Sequence, residues 1–548
     1  MVLSPPPPRP APAPTSLSVL RIAAFRNRWL ASLVSNLGTL VQSVGAGWMM
    51  TRISDSDTMV ALVQAGVTVP TMLFAVLAGT FADQYDRRNV MIGAQLFMMA
   101  AAALLTALAY LGLMTPWMLL LLTFLIGTGS TFFNPSWQAS LGDIVPRHDM
   151  PAAVSLNSMG FNAMRSVGPA IGGLIVAAAG AAAAFAMNAV SYVAMIVVLW
   201  FWKSPTSDEK LPREPLTFAV RSGLRYVAMS PNLLNVMGRA FIFGLACVSV
   251  LSLLPIVAQE RLGGDATIYG IMLGFFGFGA VLGALNNARL RARFDNERMV
   301  EIAFFGAMIG TAVLALAPDL LIAAPALMLN GMAWTVGMSL FNVTVQLSTP
   351  RWVVGRAIAL YQSASFGGMA AGSWLWGTVS DHGGTGVALA AAAAVLAFGG
   401  LLGRRLPLPE YGDLDMTPLD RFREPILQLD LKPRSGPIMA VTQFEIDPED
   451  VPRFLEIMAE RRRVRIRDGA RNWVLMRDLE NPRIWEETYH VPTWVDYVRH
   501  NTRRTKSDHG SWEQLLTLHR GEAKPHTRRM LERPSIPRRR NGVYDYEM

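Results

Sequence analysis

Two nearly uncharged runs, Met59 to Ala82 and Val90 to Leu113, flank a few charged residues, and this leaves the chain few ways to fold. Each run carries the roughly 20 apolar residues that an α-helix needs to cross a bilayer. The stretch between them is so short that the two helices must form a hairpin. Composition agrees: 52% of residues are hydrophobic and 16% charged, against about 25% charged in a soluble protein. Most of the chain is therefore expected in lipid. The net charge of +9 is then the basic excess that collects on the cytoplasmic side of membrane proteins, and nucleic acid is not an expected partner. The single cysteine, Cys247, lies in an apolar run, forms no intrachain disulfide and is read as packing.

Residues 1–20, with Pro5 to Pro8, lack the apolar core of a signal peptide and are read as a disordered tail. Membrane segments are expected near 28–50, 59–82, 89–113, 116–138, 151–178 and 183–202. A second set follows near 236–259, 266–288, 299–317, 319–345, 354–379 and 384–403. That makes twelve helices in two halves, 21–203 and 236–404, joined by a loop over 204–235. With a cytoplasmic N-terminus, the inside loops hold fourteen Lys and Arg, from Arg87 and Arg88 to Arg351 and Arg356, against Arg52 and Arg261 outside. The bias puts both termini in the cytoplasm. A shift of 204 residues superposes Gly79 on Gly283, Pro146-Arg147 on Pro350-Arg351, and Gly168 and Gly173 on Gly372 and Gly377. One offset at three places marks an internal repeat.

The remainder is of a different kind. Residues 405–436 are rich in Pro, Asp and Arg, a linker. Over 437–522, Ile438 to Ile446 alternates as a strand and Pro448 to Arg467 has helical spacing. Asn472 to Leu479 and Ile484 to His490 pair as strands, Val491 to Arg503 is a helix, and Trp512 to Leu518 is the expected last strand. This βαββαβ order, with the Trp485-Glu-Glu-Thr-Tyr-His490 strand, resembles ferredoxin-like domains of the antibiotic-biosynthesis-monooxygenase type. The resemblance implies dimerisation through this domain. His490 and His500 lack a third ligand at useful spacing, so neither metal nor catalysis is expected. Residues 523–548, with Arg538 to Arg540, form a basic tail suited to anionic lipid.

The turn Gly79-Thr-Phe-Ala-Asp83-Gln-Tyr-Asp86-Arg87-Arg88 resembles the loop between helices 2 and 3 of the major facilitator superfamily, Gly-x-Leu-Ala-Asp-Arg-x-Gly-Arg-Arg/Lys. Phe81, Gln84 and Asp86 depart from it. The resemblance implies two parallel six-helix repeats with a substrate site between them, and a gate in which Asp83 caps a helix of the other half near Arg351 to Arg356. Such a cap is worth roughly 0.3–1 kcal/mol. Arg87 and Arg88 would anchor it, although they also fit a plain positive-inside bias. In the fifth segment, Gly168-Pro169-Ala-Ile-Gly172-Gly173, with Gly160 eight residues earlier, resembles the antiporter motif of the superfamily's drug and siderophore exporters. Simple helix packing would need the same small residues.

Arg165 is expected near mid-membrane, where an ionised group is costly and by default functional. With Asn36, Gln42, Gln64, Asn157, Asn162, Asn330 and Gln362 it makes up the candidate substrate cavity. Proton coupling is implied by the resemblance, but Asp143, Glu260, Glu301 and Asp381 all fall at helix ends. No phosphate-binding loop of the Gly-x-x-x-x-Gly-Lys-Ser/Thr type occurs. The chain thus reads as an all-α polytopic membrane protein with a C-terminal α+β ferredoxin-like cytoplasmic domain. Its expected role is secondary export of a small molecule, drug-like or siderophore, across the inner membrane, without cofactor or metal. An uptake permease, or a membrane-anchored sensor or enzyme using the C-terminal domain, stands as the alternative.

Overall fold

A computed structural model describes residues 18–146, 149–202, 216–350, 352–409 and 431–532, with isolated residues and pairs elsewhere. Residues 1–17 of the tail, residues 203–215 and Arg538 lie outside the described set. The chain divides into two compact units: residues 1–214, 235–343 and 358–408, and residues 215–234, 344–357 and 409–548.

The first unit is helical. It opens with α1 (Ala23–Ile53), α2 (Asp57–Gln84), α3 (Arg87–Tyr110), α4 (Pro116–Ile144) and α5 (Met150–Trp200). A short amphipathic α6 (Leu216–Ala228) belongs to the second unit. Next come α7 (Pro231–Ile256), α8 (Ala266–Arg291), α9 (Asn296–Leu316), α10 (Leu320–Leu347), α11 (Val354–Gly383) and α12 (Thr385–Leu401). Among the described residues eight helices are long and apolar enough to cross a membrane. The 51-residue α5 is broken at Gly180, whose φ of 79° is a left-handed conformation open to glycine at little cost. The sequence expects its fifth and sixth segments to separate at this point.

Local chemistry explains the helix starts. Ser56 accepts a hydrogen bond from the Met59 amide, and Thr115 accepts from Met118 with Pro116 in the first turn. Asp86 caps α3 by accepting from Asn89, so the departure from the superfamily glycine supplies an N-cap worth about 1 kcal/mol. The outward faces are apolar: Leu73, Leu104, Leu121 and Leu174 are exposed, as a lipid-facing surface requires. Exposed aromatics, Tyr110, Trp117, Trp200 and Phe201, stand at helix ends, where amphipathic rings meet the headgroups.

Glycines matched by the 204-residue offset make close helix contacts. Gly168 and Gly172 of α5 lie against Leu40, Val41 and Val44 of α1, while Gly372 of α11 lies against Leu245 and Val248 of α7. A Cβ on Gly173 would stand 2.6 Å from the Ala266 carbonyl oxygen and 2.9 Å from the Gly270 Cα of α8. At the equivalent place, a Cβ on Gly377 would stand 2.7 Å from the Thr58 Cα of α2. Both α5 and α11 thus cross the second helix of the opposite half through a glycine. Close backbone approach of this kind is how helices associate where no hydrophobic effect drives them together.

The C-terminal part of the second unit holds β1 (Ile438–Glu445), α13 (Val451–Arg467), β2 (Arg471–Arg477), β3 (Ile484–Val491), α14 (Trp494–Thr502), α15 (His509–Leu518) and β4 (Thr527–Leu531). The four strands form an antiparallel sheet in the order β2-β3-β1-β4. The strand expected at Trp512 to Leu518 is instead a helix, and the fourth strand lies beyond residue 522. Trp512, Leu515 and Leu518 recur every three residues, a helical stripe. Leu515 and Leu518 are buried against the cluster of Phe444, Phe454 and Trp485. Ser18–Arg21, expected in the tail, is a short 3-10 turn with Val19 buried. Leu408, expected in the linker, is buried, and its amide donates to Glu297.

Candidate functional site

The conspicuous polar arrangement in the first unit lies at the start of α2 and the end of α11. Asp381 accepts hydrogen bonds from the Asp57 amide (2.6 Å), the Thr58 amide (3.2 Å), the Ser56 hydroxyl (3.1 Å) and the Thr58 hydroxyl (2.5 Å). In return the Ser380 hydroxyl donates to Asp57 at 2.5 Å. A carboxylate of one half therefore caps a helix N-terminus of the other, satisfying orphan amides and opposing the helix dipole. The sequence points to Asp83 for this chemistry and shows Asp381 only as a carboxylate at a helix end, away from mid-membrane proton coupling. That position is what lets it cap.

Asp83's side chain and Arg351 lie outside the described residues. Arg87 and Arg88 tie together helices of one half. Arg87 Nη1 meets Asp143 of α4 at 2.8 Å, and Arg88 donates to the carbonyls of Leu199 and Trp200 at the end of α5 (2.9 and 2.6 Å). Around Gly79 a Cβ would meet nothing within 4 Å. Gly160 packs on Leu33 and Trp29 of α1, so Gly160, Gly168, Gly172 and Gly173, together with buried Pro169, form one surface that meets α1 and α8.

The candidate cavity residues divide into two groups. Gln42 is buried and accepts from Asn188, which also donates to the Tyr192 hydroxyl at 3.0 Å. Asn330 is buried, accepts from Thr311 at 3.0 Å and donates to the Ala326 carbonyl. These two amides are engaged in packing within one half. Asn36, Gln64, Asn157, Asn162, Arg165 and Gln362 are half-buried. Asn162 donates to the Ser158 carbonyl of its own helix. The Arg165 guanidinium lies 5.7 Å from the Phe276 ring of α8, within range of a cation–π attraction. Sequence reasoning missed Arg239, fully buried in α7, whose Nη1 reaches both Glu297 oxygens at 2.6 Å. An arginine inside an apolar segment was the available signal.

Long apolar helices, crossed through glycines and joined by a carboxylate cap, define a multi-pass membrane fold. Solved structures agree on the fold. A proton-coupled D-xylose symporter matches with TM-score 0.55 at 14% identity, over 71% of this chain and 98% of its own. A bacterial homolog of the human lysosomal transporter Spinster matches with TM-score 0.54 at 15% identity, over 70% and 97%. The chain belongs to the transmembrane secretion effector family, which matches residues 14–535 and so includes the C-terminal domain. It is a transporter and not an enzyme. Among its relatives, the multidrug efflux pump Tap of Mycolicibacterium fortuitum is 23% identical over 71% of this chain and 96% of the pump. The staphyloferrin A transporter of Staphylococcus aureus is 27% identical over 46% of this chain and 64% of that protein.

Proposed function

We propose that this chain is a secondary active exporter of a small molecule, drug-like or siderophore, in the inner membrane. Twelve helices form the two halves, α5 counting as two around Gly180, and both termini are cytoplasmic. The observation that carries the reading is the paired glycine crossings of α5 with α8 and α11 with α2, because a transporter that rocks one half on the other needs matched contacts between the halves. In this orientation the Asp381 cap joins α2 and α11 on the outer side, so breaking it would accompany outward opening, while Asp83 would serve the inner gate. Arg165 and the half-buried amides Asn36, Gln64, Asn157, Asn162 and Gln362 would line the cavity, with Arg165 attracting an anionic or carbonyl-rich substrate. The efflux relatives and the helix 5 motif support export. Proton coupling would need a carboxylate nearer the membrane surface than is usual.

The test is efflux from cells lacking their major pumps, measured with a panel of hydrophobic drugs and siderophores. Wild type should lower accumulation of at least one compound, while Asp83→Asn, expressed equally, should not. Accumulation driven inward by wild type would replace export with uptake.

A further inference from the structure

The C-terminal domain gathers several arginines in one place. Arg461 and Arg465 of α13 point at one carboxylate, Glu487 of β3, at 2.9 and 3.4 Å. Trp473 Nε1–H donates to the same group at 3.0 Å. Burial alone would raise the Glu487 carboxyl, but the two guanidiniums overcome it and hold the group at about 2. Two further cations form no ion pair with a carboxylate among the described residues. Arg529 of β4 donates only to neutral oxygens, the Tyr497 hydroxyl at 2.8 Å and the Thr527 carbonyl at 3.1 Å. Arg504, after α14, has no ion-pair partner among the described residues. Burial first, and then the neighbouring Arg465, pull Arg504 down to about 10.

These four arginines line a single cavity of about 550 Å³ between the sheet and its helices. Its other walls include Phe422, Tyr489, Tyr497 and Trp512. The Tyr489 hydroxyl is buried and has no hydrogen-bond partner among the described residues. The cavity's two carboxylates, Asp468 and Asp508, are both hydrogen-bonded by Arg467, at 3.0 and 2.8 Å, and neither makes an ion pair with Arg504 or Arg529 among the described residues. Aromatic walls with a few convergent polar groups, in a volume of a few hundred Å³, are what small-molecule sites offer. Uncompensated guanidiniums select an anion with planar oxygens.

We propose that the C-terminal domain binds a small aromatic carboxylate in this cavity, its ring against Tyr489, Tyr497 and Trp512 and its oxygens on Arg504, Arg529 and the Tyr489 hydroxyl. The site lies in the soluble domain and is separate from the transport cavity. It is also placed to report its occupancy. Arg503, next to Arg504, lies 4.0 Å over the Trp352 ring, and Arg467, next to Asp468, lies 5.0 Å from Tyr226 of α6. Tyr226 and Trp352 themselves meet edge to face at 5.6 Å. The ligand therefore acts on residues that clasp α6 and the turn between α10 and α11.

The experiment is calorimetric titration of the purified full-length protein in detergent with salicylate, using the neutral salicylamide as control. Salicylate should bind saturably, salicylamide at least ten-fold more weakly. Arg504→Gln and Arg529→Gln should each weaken salicylate roughly ten-fold, the loss expected for one charged hydrogen bond, and Arg504→Lys should restore part of it. Arg165→Ala should leave the titration unchanged, which separates this site from the membrane cavity. Unfolding profiles matching wild type establish that the variants are folded. Absence of saturable binding, equal binding of the neutral control, or loss with Arg165→Ala in place of Arg504→Gln would each overturn the proposal.

Discussion

The two units treat charge in opposite ways. In the helical unit the two closest described ion pairs each match one cation with one carboxylate of another helix: Arg87 with Asp143, and Arg239 with Glu297. Asp381 is spent on the start of a helix. Arg28, almost fully buried, lies 3.8 Å over the Trp202 ring. In the C-terminal domain, Arg461 and Arg465 share one carboxylate, and Arg504 and Arg529 line the same cavity without one. The difference reflects the surrounding solvent. Hydrocarbon leaves no water to stabilise a stray charge, and the cations there rest on a carboxylate, as Arg87 and Arg239 do, or on an aromatic face, as Arg28 does. The C-terminal domain instead gathers its cations around a cavity, where they face space that an anion could fill.

That contrast can be broken at its strongest point. Glu487→Gln leaves Arg461 and Arg465 buried without a counter-charge and should destabilise the C-terminal domain by about 3–5 kcal/mol. Thermal unfolding of the full chain should show the domain transition shifted down while the helical signal persists; one shared, unshifted transition would refute the assignment. Acid should act on the same group. The folded Glu487 carboxyl titrates at about 2, below its ordinary 4.5, so its stabilisation is complete above pH 4.5 and disappears as pH falls toward 2. Domain melting followed between pH 6 and pH 2 should fall through that window, and fall less steeply in the Gln variant, where only the remaining ion-paired aspartates titrate.

Smaller effects sharpen the membrane side. Gly173→Val places a branched side chain where a Cβ would already stand 2.6 Å from a carbonyl oxygen. It should cost about 1–3 kcal/mol by overpacking and lower transport in proportion, whereas Gly79→Ala, with open space around it, should be silent in both. Asp381→Asn keeps the shape of the cap and removes its charge, a loss of about 1 kcal/mol. Labelling of a cysteine introduced at the α2–α11 contact should rise several-fold; unchanged labelling would make the cap incidental.

Much of the architecture was legible in local pattern. Hydrophobic run length located the helices, the 204-residue offset foretold the equivalence of Gly173 and Gly377, and alternation marked β1 and β3. Trp512 to Leu518 misled because a short apolar stretch reads equally as a strand or a helix, and only burial of Leu515 and Leu518 against Phe444 decided it. Gln42 and Asn330 looked like cavity amides, but composition does not say which face of a helix meets its neighbour. The sequence by itself determined what must lie in lipid, because apolar length and charge distribution are additive along the chain. Tertiary structure alone decided which charges meet: Asp381 with the start of α2, Arg239 with Glu297, and four arginines from α13, β4 and the segment after α14 around one cavity. Those pairings join residues tens to hundreds of positions apart, and their energy depends on distance and local dielectric, which no single stretch of sequence encodes.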